Sequence, residues 1–414
     1  MTDPSKPHIA IVCDTVPYPT RSGDNQRIAE LISILRQNGW FVHLVLAALV
    51  DRTLREICLK HVDALHLFNG KGLKTRCRNL LRRTVREFDK IGKRIGLPPA
   101  EEMASRLLGR KIAPLVIDYW QRYPHGLSDF VAELARRDQW RAIIVEYLWL
   151  HPTIAKLPNG IPKLLDTHDI QHLRAQEFAS RGMTFPLRIT REEERRIFNQ
   201  FDAVIAIQSA ESSLIREMCP QVRILTVGSM GAAQKKVPGC PIPGRVLYVG
   251  GYNGANVDGL HRFLTIIWPR IIDQYERARL HVCGYVYRAF LGEEFNGVCF
   301  LGHTEDIEEK YAEAALVINP SWIGTGLKIK TIDALARGKP LVTTTKGVEG
   351  LNGAIDAACV IADDDYSFAH SVVHLLISSN TRNKLAEAAS AYAQKHLTSI
   401  AVYGELLTFL NRHR

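Results

Sequence analysis

Residues 320–340, Pro-Ser-Trp-Ile-Gly-Thr-Gly-Leu-Lys-Ile-Lys-Thr-Ile-Asp-Ala-Leu-Ala-Arg-Gly-Lys-Pro, form the stretch best suited by residue type to hold an anion. A buried strand ending at Asn319 leads into a turn carrying Gly324, Thr325 and Gly326, and a helix is expected to begin near Gly326. Glycine lets the backbone approach a ligand closely, and the unpaired N–H groups of a helix start attract phosphate. Leu327 and Lys328 then occupy the first turn, and Gly326, Lys330 and Asp333 stand at i, i+4 and i+7, on one helical face. Such a face presents backbone donors, an ammonium and a carboxylate able to accept two ribose hydroxyls, a sequence that suits a nucleoside diphosphate. The same spacing also suits an ordinary surface ion pair between Lys330 and Asp333.

A second group lies in the first half. Ser22 and Gly23 form a small-residue turn before a helix; Asp24 or Ser22 is either the helix N-cap or a contact to a bound hydroxyl. In Leu164-Leu-Asp-Thr-His-Asp169, His168 follows a buried strand directly. It is either a structural hydrogen-bonding residue or a site residue, with Asp166 and Asp169 free to orient it or to bind hydroxyls. Arg174 reads as a solvated helix charge or an anion contact, and His151, ahead of Pro152, is a weaker candidate.

These residues need a scaffold of parallel strands. His8 to Asp14 is an apolar run; Ile28, Leu31 and Leu35 follow at helical spacing; Gly39 ends that helix, and Phe41 to Leu46 is the next strand. Further strands are expected at 142–145, 163–166, 203–207 and 223–227, and in the second half at 246–249, 280–283, 298–301, 316–319 and 341–344. The pattern predicts an α/β protein of two doubly wound Rossmann-like domains facing across a cleft. Residues 1–228 form the first domain, 229–244 a Gly/Pro/Lys linker and 245–395 the second; 396–414 form a terminal helix crossing back, with Tyr403, Leu406, Leu407 and Leu410 buried. Residues 50–139 read as a basic helical insert. No G-x-G-x-x-G follows the first strand, which argues against a nicotinamide enzyme.

The donor-side stretch resembles the signature of the retaining glycosyltransferases of family four, glycosyl transferases group 1, which fold as GT-B. Asp333-Ala-Leu-Ala-Arg-Gly-Lys-Pro-Leu-Val342 is similar to the second half of that signature, with Asp333 for its second Glu. Lys330 matches a Lys common in bacterial members, Gly347-Val-Glu-Gly-Leu351 is typical, and the first Glu falls on Thr325. Val246 to Gly251, Asn256-Val-Asp258, Leu280 to Gly284 and 298–306 resemble other strands and loops of the donor domain. The resemblance implies donor contacts at Gly23, Gly251, Gly302, His303, Gly324 to Lys328, Lys330 and Asp333, with His168 against the donor sugar. His303 either stacks on the base or caps the next helix. Members often carry an Arg and a Lys for the diphosphate near Asn256; here Lys330, with Lys328, stands in for them. Catalytic roles then fall on His168, Lys330 and Asp333, and acceptor-side roles on Ser22, Asp24, Asp166 and Asp169. The implied reaction is retaining transfer from a UDP- or GDP-sugar to a glycan or lipid-linked acceptor in surface-polysaccharide assembly. No cofactor and no metal are expected, since the leaving phosphate itself takes the acceptor's proton. Asp363-Asp-Asp365 resembles the metal-binding D-x-D of the other glycosyltransferase fold but reads as a solvated turn.

A non-catalytic nucleotide-sugar-binding partner, and an epimerase or hydrolase of the same fold, remain alternatives. The 414-residue chain has net charge +10, and ten of its Lys and Arg lie between Lys71 and Arg94. That segment is either a solvated helix face or a membrane-surface helix drawn to anionic lipid; with few aromatics interleaved, no nucleic acid is expected. No apolar run spans a bilayer, no signal peptide is legible, and eight scattered cysteines point to reduced thiols. A cytoplasmic protein is expected, peripheral on the inner face of the plasma membrane if the basic segment binds lipid.

Overall fold

The computed structural model describes residues 5–20, 23–48, 50–68, 117–180, 182, 185, 187–231, 240–304, 306–324, 326–351, 353 and 355–413. The Lys71–Arg94 segment, Ser22 and Thr325 lie outside the described residues.

Two parallel sheets carry the fold. The first comprises β1 (His8–Cys13), β2 (Phe41–Leu46), β3 (Ala64–Leu67), β5 (Ala142–Glu146), β6 (Lys163–Asp166), β8 (Ala203–Ala206) and β9 (Arg223–Thr226), in the order β3-β2-β1-β5-β6-β8-β9. Two short strands, β4 (Ile117–Asp118) and β7 (Leu187–Arg188), pair beside it. The second sheet comprises β10 (Arg245–Val249), β11 (Arg279–Cys283), β12 (Val298–Gly302), β13 (Leu316–Asn319), β14 (Leu341–Thr343) and β15 (Val360–Ile361), in the order β12-β11-β10-β13-β14-β15. β1, β2, β5 and β8 are buried along their whole length, as strands covered by helices on both faces must be. This is the GT-B arrangement of two Rossmann-like domains.

The first helix, Gly23–Gln37, buries Ile28, Leu31, Ile32 and Leu35 against the sheet. It ends where Gly39 takes φ +81°, and the N–H of Trp40 returns to the Leu35 carbonyl. Parts of the stretch expected as an insert, 50–139, belong to the first domain itself. The Arg52–Leu59 helix leads into β3, an edge strand of the first sheet, and the Leu127–Asp138 helix buries Leu127, Val131, Leu134 and Ala135 in the core. Three elements of the domain were therefore hidden in a stretch whose charge dominates its composition.

The last helix, Ser399–Asn411, packs on the first domain. Val402, Tyr403, Leu406 and Leu410 join Ile9, Ile11, Ile28 and Leu31 in one core, with Leu407 partly buried beside them. Complete burial of Leu406 and Leu410 contributes about 2 kcal/mol each. Glu405 accepts from the Thr226 N–H at 2.9 Å, and the Tyr403 hydroxyl donates to Glu30 at 3.3 Å. Glu30 also receives the Ser229 hydroxyl and the Met230 N–H, so one carboxylate ties the chain's end to the start of the linker. No helix among the described residues is long and apolar enough to cross a membrane. Cys13, Cys58, Cys219, Cys240, Cys283, Cys299 and Cys359 are free thiols.

Candidate functional site

The second domain's contribution begins at the C-terminal end of β13. Asn319 is buried and donates to the Thr331 hydroxyl at 2.7 Å, while Ser321 donates to Asn319 at 2.5 Å. The turn that follows holds Gly324 at φ +101° and Gly326 at φ +73°, and the helix runs over Ile329–Ala336 with Lys328 as its N-cap residue. The helix thus starts three residues later than the spacing suggested. A left-handed Gly326 cannot sit on a right-handed helical face, so it belongs to the turn, and the shared face carries Lys330 and Asp333 alone.

Lys328 folds back on this turn, donating to the Gly324 carbonyl at 2.9 Å and the Gly326 carbonyl at 2.8 Å. Burial pulls its ammonium down to about 8, with Glu349 opposing and Lys346 adding to the shift. Lys330 reaches Asn256 Oδ1 at 2.5 Å and the Tyr248 hydroxyl at 3.3 Å, and its Nζ lies 4.9 Å from the centre of the Tyr248 ring. Burial, with the Lys328 charge nearby, draws the Lys330 ammonium down to about 7. Among the described residues no carboxylate partners it: a desolvated ammonium held by an amide oxygen and a phenol is poised to receive an anion. Asp333 meets Arg337 at 3.2 Å and the Gln26 amide at 3.2 Å, the latter reaching over from the first domain.

The first domain brings a buried ionic network to the same seam. Arg27 forks Asp166 through Nε at 3.0 Å and Nη2 at 3.1 Å, and donates from Nη1 to the Gly228 carbonyl at 2.5 Å. His168 Nε2 lies 2.6 Å from Glu146, and its ring stacks on Tyr147 at 4.0 Å. Burial and the Asp166 charge raise the Glu146 carboxyl. Burial works against the His168 imidazolium, but Asp166 and the Glu146 hydrogen bond outweigh it, so its pKa also rises. His168 takes φ +59°, an unusual conformation for a residue other than glycine. Glu194, buried, accepts from the N–H groups of Gln171 and His172 and pairs with the His172 ring, fixing the Gln171–Ser180 helix behind this loop.

Asp166 was expected on the acceptor side; with 2% exposure under the Arg27 fork, it is a structural counter-ion instead. Glu146, Asp166 and His168 also present ligand atoms within 4.8 Å of one another, but Arg27 already supplies the cation there. Asp169 is held by Arg174 at 2.5 Å, and Asp24 accepts from the Tyr147 hydroxyl at 3.3 Å. His151 points its Nδ1 to the Leu148 carbonyl inside its own short helix. Gly251 has open space on its Cβ side, next to Asn256, whose amide donates to the Gly251 carbonyl at 2.9 Å. Gly302 ends β12, and His303, exposed, stacks parallel to Tyr285 at 5.4 Å; the next helix is capped by Asp306, which removes the capping alternative for His303. The acidic run is used locally. Asp363 binds Thr345, Asp364 caps the Asp365–Ile377 helix, and Asp365 pairs with Arg262.

The two halves touch where they matter. A Cβ on Gly23, at the start of the first helix, would lie 2.9 Å from Ile329 at the start of the Ile329–Ala336 helix, so two helix N-termini converge. Glu177 of the first domain accepts from the Gly324 N–H at 3.1 Å, and Lys346 lies 3.5 Å from it and 2.9 Å from Glu349. These carboxylates reach the turn in which the family's first Glu would stand. Arg27, Glu146 and Glu177 were not singled out from sequence, and Glu349 was read only as part of the Gly347–Leu351 resemblance. Arg27 and Glu146 had a signal, a charge on an apolar helix stripe and at the end of a buried strand; Glu177 had none. Gly326→Ala is expected to disrupt this seam: beyond the ~1 kcal/mol or more of a left-handed alanine, its Cβ would fall 2.6 Å from Asp169 and 2.8 Å from Ile207. A lower melting temperature together with weakened nucleotide binding would show this.

The fold and site together define the GT-B class, two Rossmann-like domains with helix starts facing across a seam. TarM from S. aureus, solved in complex with fondaparinux, alpha-GlcNAc-glycerol and UDP, superposes with a TM-score of 0.68 over 98% of this chain and 100% of its own, at 10% identity. Anabaena HepE, solved with UDP and glucose, has a TM-score of 0.60 over 98% and 99%, at 14% identity. Residues 243–378 match the family model Glycosyl transferases group 1. A Klebsiella pneumoniae protein described as an uncharacterized 44.6 kDa protein in the cps region is 24% identical over 172 residues, 39% of this chain and 44% of its own length. The match therefore spans less than half of that relative.

Proposed function

We propose that the protein transfers a sugar from a UDP- or GDP-sugar to a hydroxyl of a glycan or lipid-linked acceptor, with retention and without a catalytic metal. One observation carries this reading: the Lys330 ammonium, desolvated and held by neutral groups, stands beside a helix start that meets the first domain's helix start at Gly23. The diphosphate lies there. Its charge grows as the glycosidic bond to the phosphate oxygen breaks, and the fixed N–H groups and Lys330 complement that charge without reorganising. The acceptor oxygen attacks the anomeric carbon from the same face, and its proton passes to the departing phosphate oxygen. The seam holds both partners in place. Asp333 exchanges its Gln26 contact for the ribose hydroxyls. With Asp166 committed to Arg27, acceptor hydroxyls fall to Asp24 and Asp169. UDP in the TarM and HepE structures favours a uridine donor, and the cps-region relative favours polysaccharide assembly.

A melting-temperature screen against UDP, GDP, ADP, CMP and dTDP, followed by transfer assays with the sugars of the stabilising nucleotide, tests the proposal. Stabilisation by none of them counts against it, and binding without transfer over a broad acceptor set favours a non-catalytic partner. His168→Asn keeps the left-handed backbone accessible and a donor for Glu146. Turnover is expected to fall about 100-fold with the melting temperature little changed. Unaltered turnover would return His168 to a structural role.

A further inference from the structure

We propose that His43, His66 and Asp138 form a structural site for a zinc-class divalent ion at the edge of the first sheet, apart from the cleft. His43 lies on β2 and His66 on β3, and the register His43↔Ala64, Val45↔His66 puts both on one face of the sheet. Asp138 is the last residue of the Leu127–Asp138 helix covering that face; Gln139, at φ +48°, ends the helix there. His43 Nδ1 is 3.0 Å from His66 Nε2, and Asp138 Oδ2 is 3.5 Å from the first and 3.9 Å from the second. Four-coordinate zinc with bonds of about 2.0–2.1 Å sets its ligand atoms roughly 3.3–3.4 Å apart, so these three distances bracket the edges of such a tetrahedron. Two imidazoles and a carboxylate are a donor set that zinc prefers, with water completing the fourth corner.

Three further features suit an ion. His43 Nε2 lies 3.1 Å from His8 Nδ1, an outer contact that fixes which nitrogen of His43 faces the site. The C-terminal end of the helix favours a cation. The side chains of His43 and Asp138 are 1% and 8% exposed, while His66 at 14% leaves a way in. Arg137 competes: it forks Asp138 at 2.8 Å through both nitrogens, from a side chain 60% exposed that is free to swing aside. Without an ion, one ring N–H lies between His43 and His66; when the ion binds, that proton leaves the facing nitrogen and the same ring is protonated at its other nitrogen, so both rings stay neutral and both facing lone pairs go to the ion. The gain is a clamp across β2, β3 and the helix, joined to His8 on β1, at an edge strand with only four residues of pairing.

The test uses the full chain, stripped with a chelator and titrated with zinc chloride by calorimetry, with cobalt(II) absorption as a report on tetrahedral geometry. One equivalent of zinc, a raised melting temperature and a tetrahedral cobalt spectrum are expected. His66→Gln and Asp138→Asn, both at the accessible side, are each expected to weaken zinc at least about 100-fold while the metal-free melting temperature and nucleotide binding stay as in the parent. Absence of saturable zinc binding would overturn the site. So would binding that survives both substitutions and is lost instead with Glu146→Gln.

Discussion

Lys330→Ala is expected to weaken nucleoside diphosphate binding about 30- to 100-fold, the equivalent of about 2–3 kcal/mol for a charge-assisted contact. The free nucleoside, which never reaches the ammonium, keeps its affinity. Equal losses for both would assign Lys330 to the fold rather than to phosphate. The burial that draws its pKa down to about 7 adds a second signature. Above pH 7 the ligand-free lysine is largely neutral, and a bound diphosphate restores its charge, so binding takes up a proton. Affinity therefore falls as pH rises above about 7, approaching tenfold per unit. Lys330→Arg, charged throughout, flattens the profile. In the ligand-free protein the sign is opposite. From about 7 to 10.5 the unfolded chain holds the lysine proton that the folded one has lost, so Lys330's contribution to stability rises with pH.

The second large effect is on folding. Arg27→Met leaves Asp166, at 2% exposure, without its cation, and strips the Gly228 carbonyl of its donor. Breaking one side of a buried ion pair costs about 3–5 kcal/mol, which urea melts of the variant would register. Adding Asp166→Asn removes the stranded charge and is expected to recover part of that loss. A single variant within 1 kcal/mol of the parent would mean that the network is solvated in solution.

The strands were legible where burial on both faces makes them largely apolar runs. β2, β6 and β13 begin and end at the residues read from sequence. β3, only Ala-Leu-His-Leu, sits in a charged stretch, and no local pattern separates it from an insert. The Ile329–Ala336 helix was legible in kind but not in start. Spacing counts Gly326 as helical, whereas the backbone turns it left-handed, and the sign of φ leaves no mark on periodicity. Partners distant along the chain were the least visible. Arg27 and Asp166 meet across the first domain's own fold, while Gln26 and Asp333, and Glu177 and Gly324, meet because two domains close on each other; neither local propensity nor spacing encodes those meetings.

The most direct measurement is a crystal structure of the protein with a bound nucleoside diphosphate, UDP first. The account predicts the diphosphate at the start of the Ile329–Ala336 helix, with phosphate oxygens in hydrogen-bond reach of Lys330 and the ribose beside Asp333. A nucleotide bound elsewhere, with the Lys330 ammonium still turned to Asn256 and Tyr248, would contradict it.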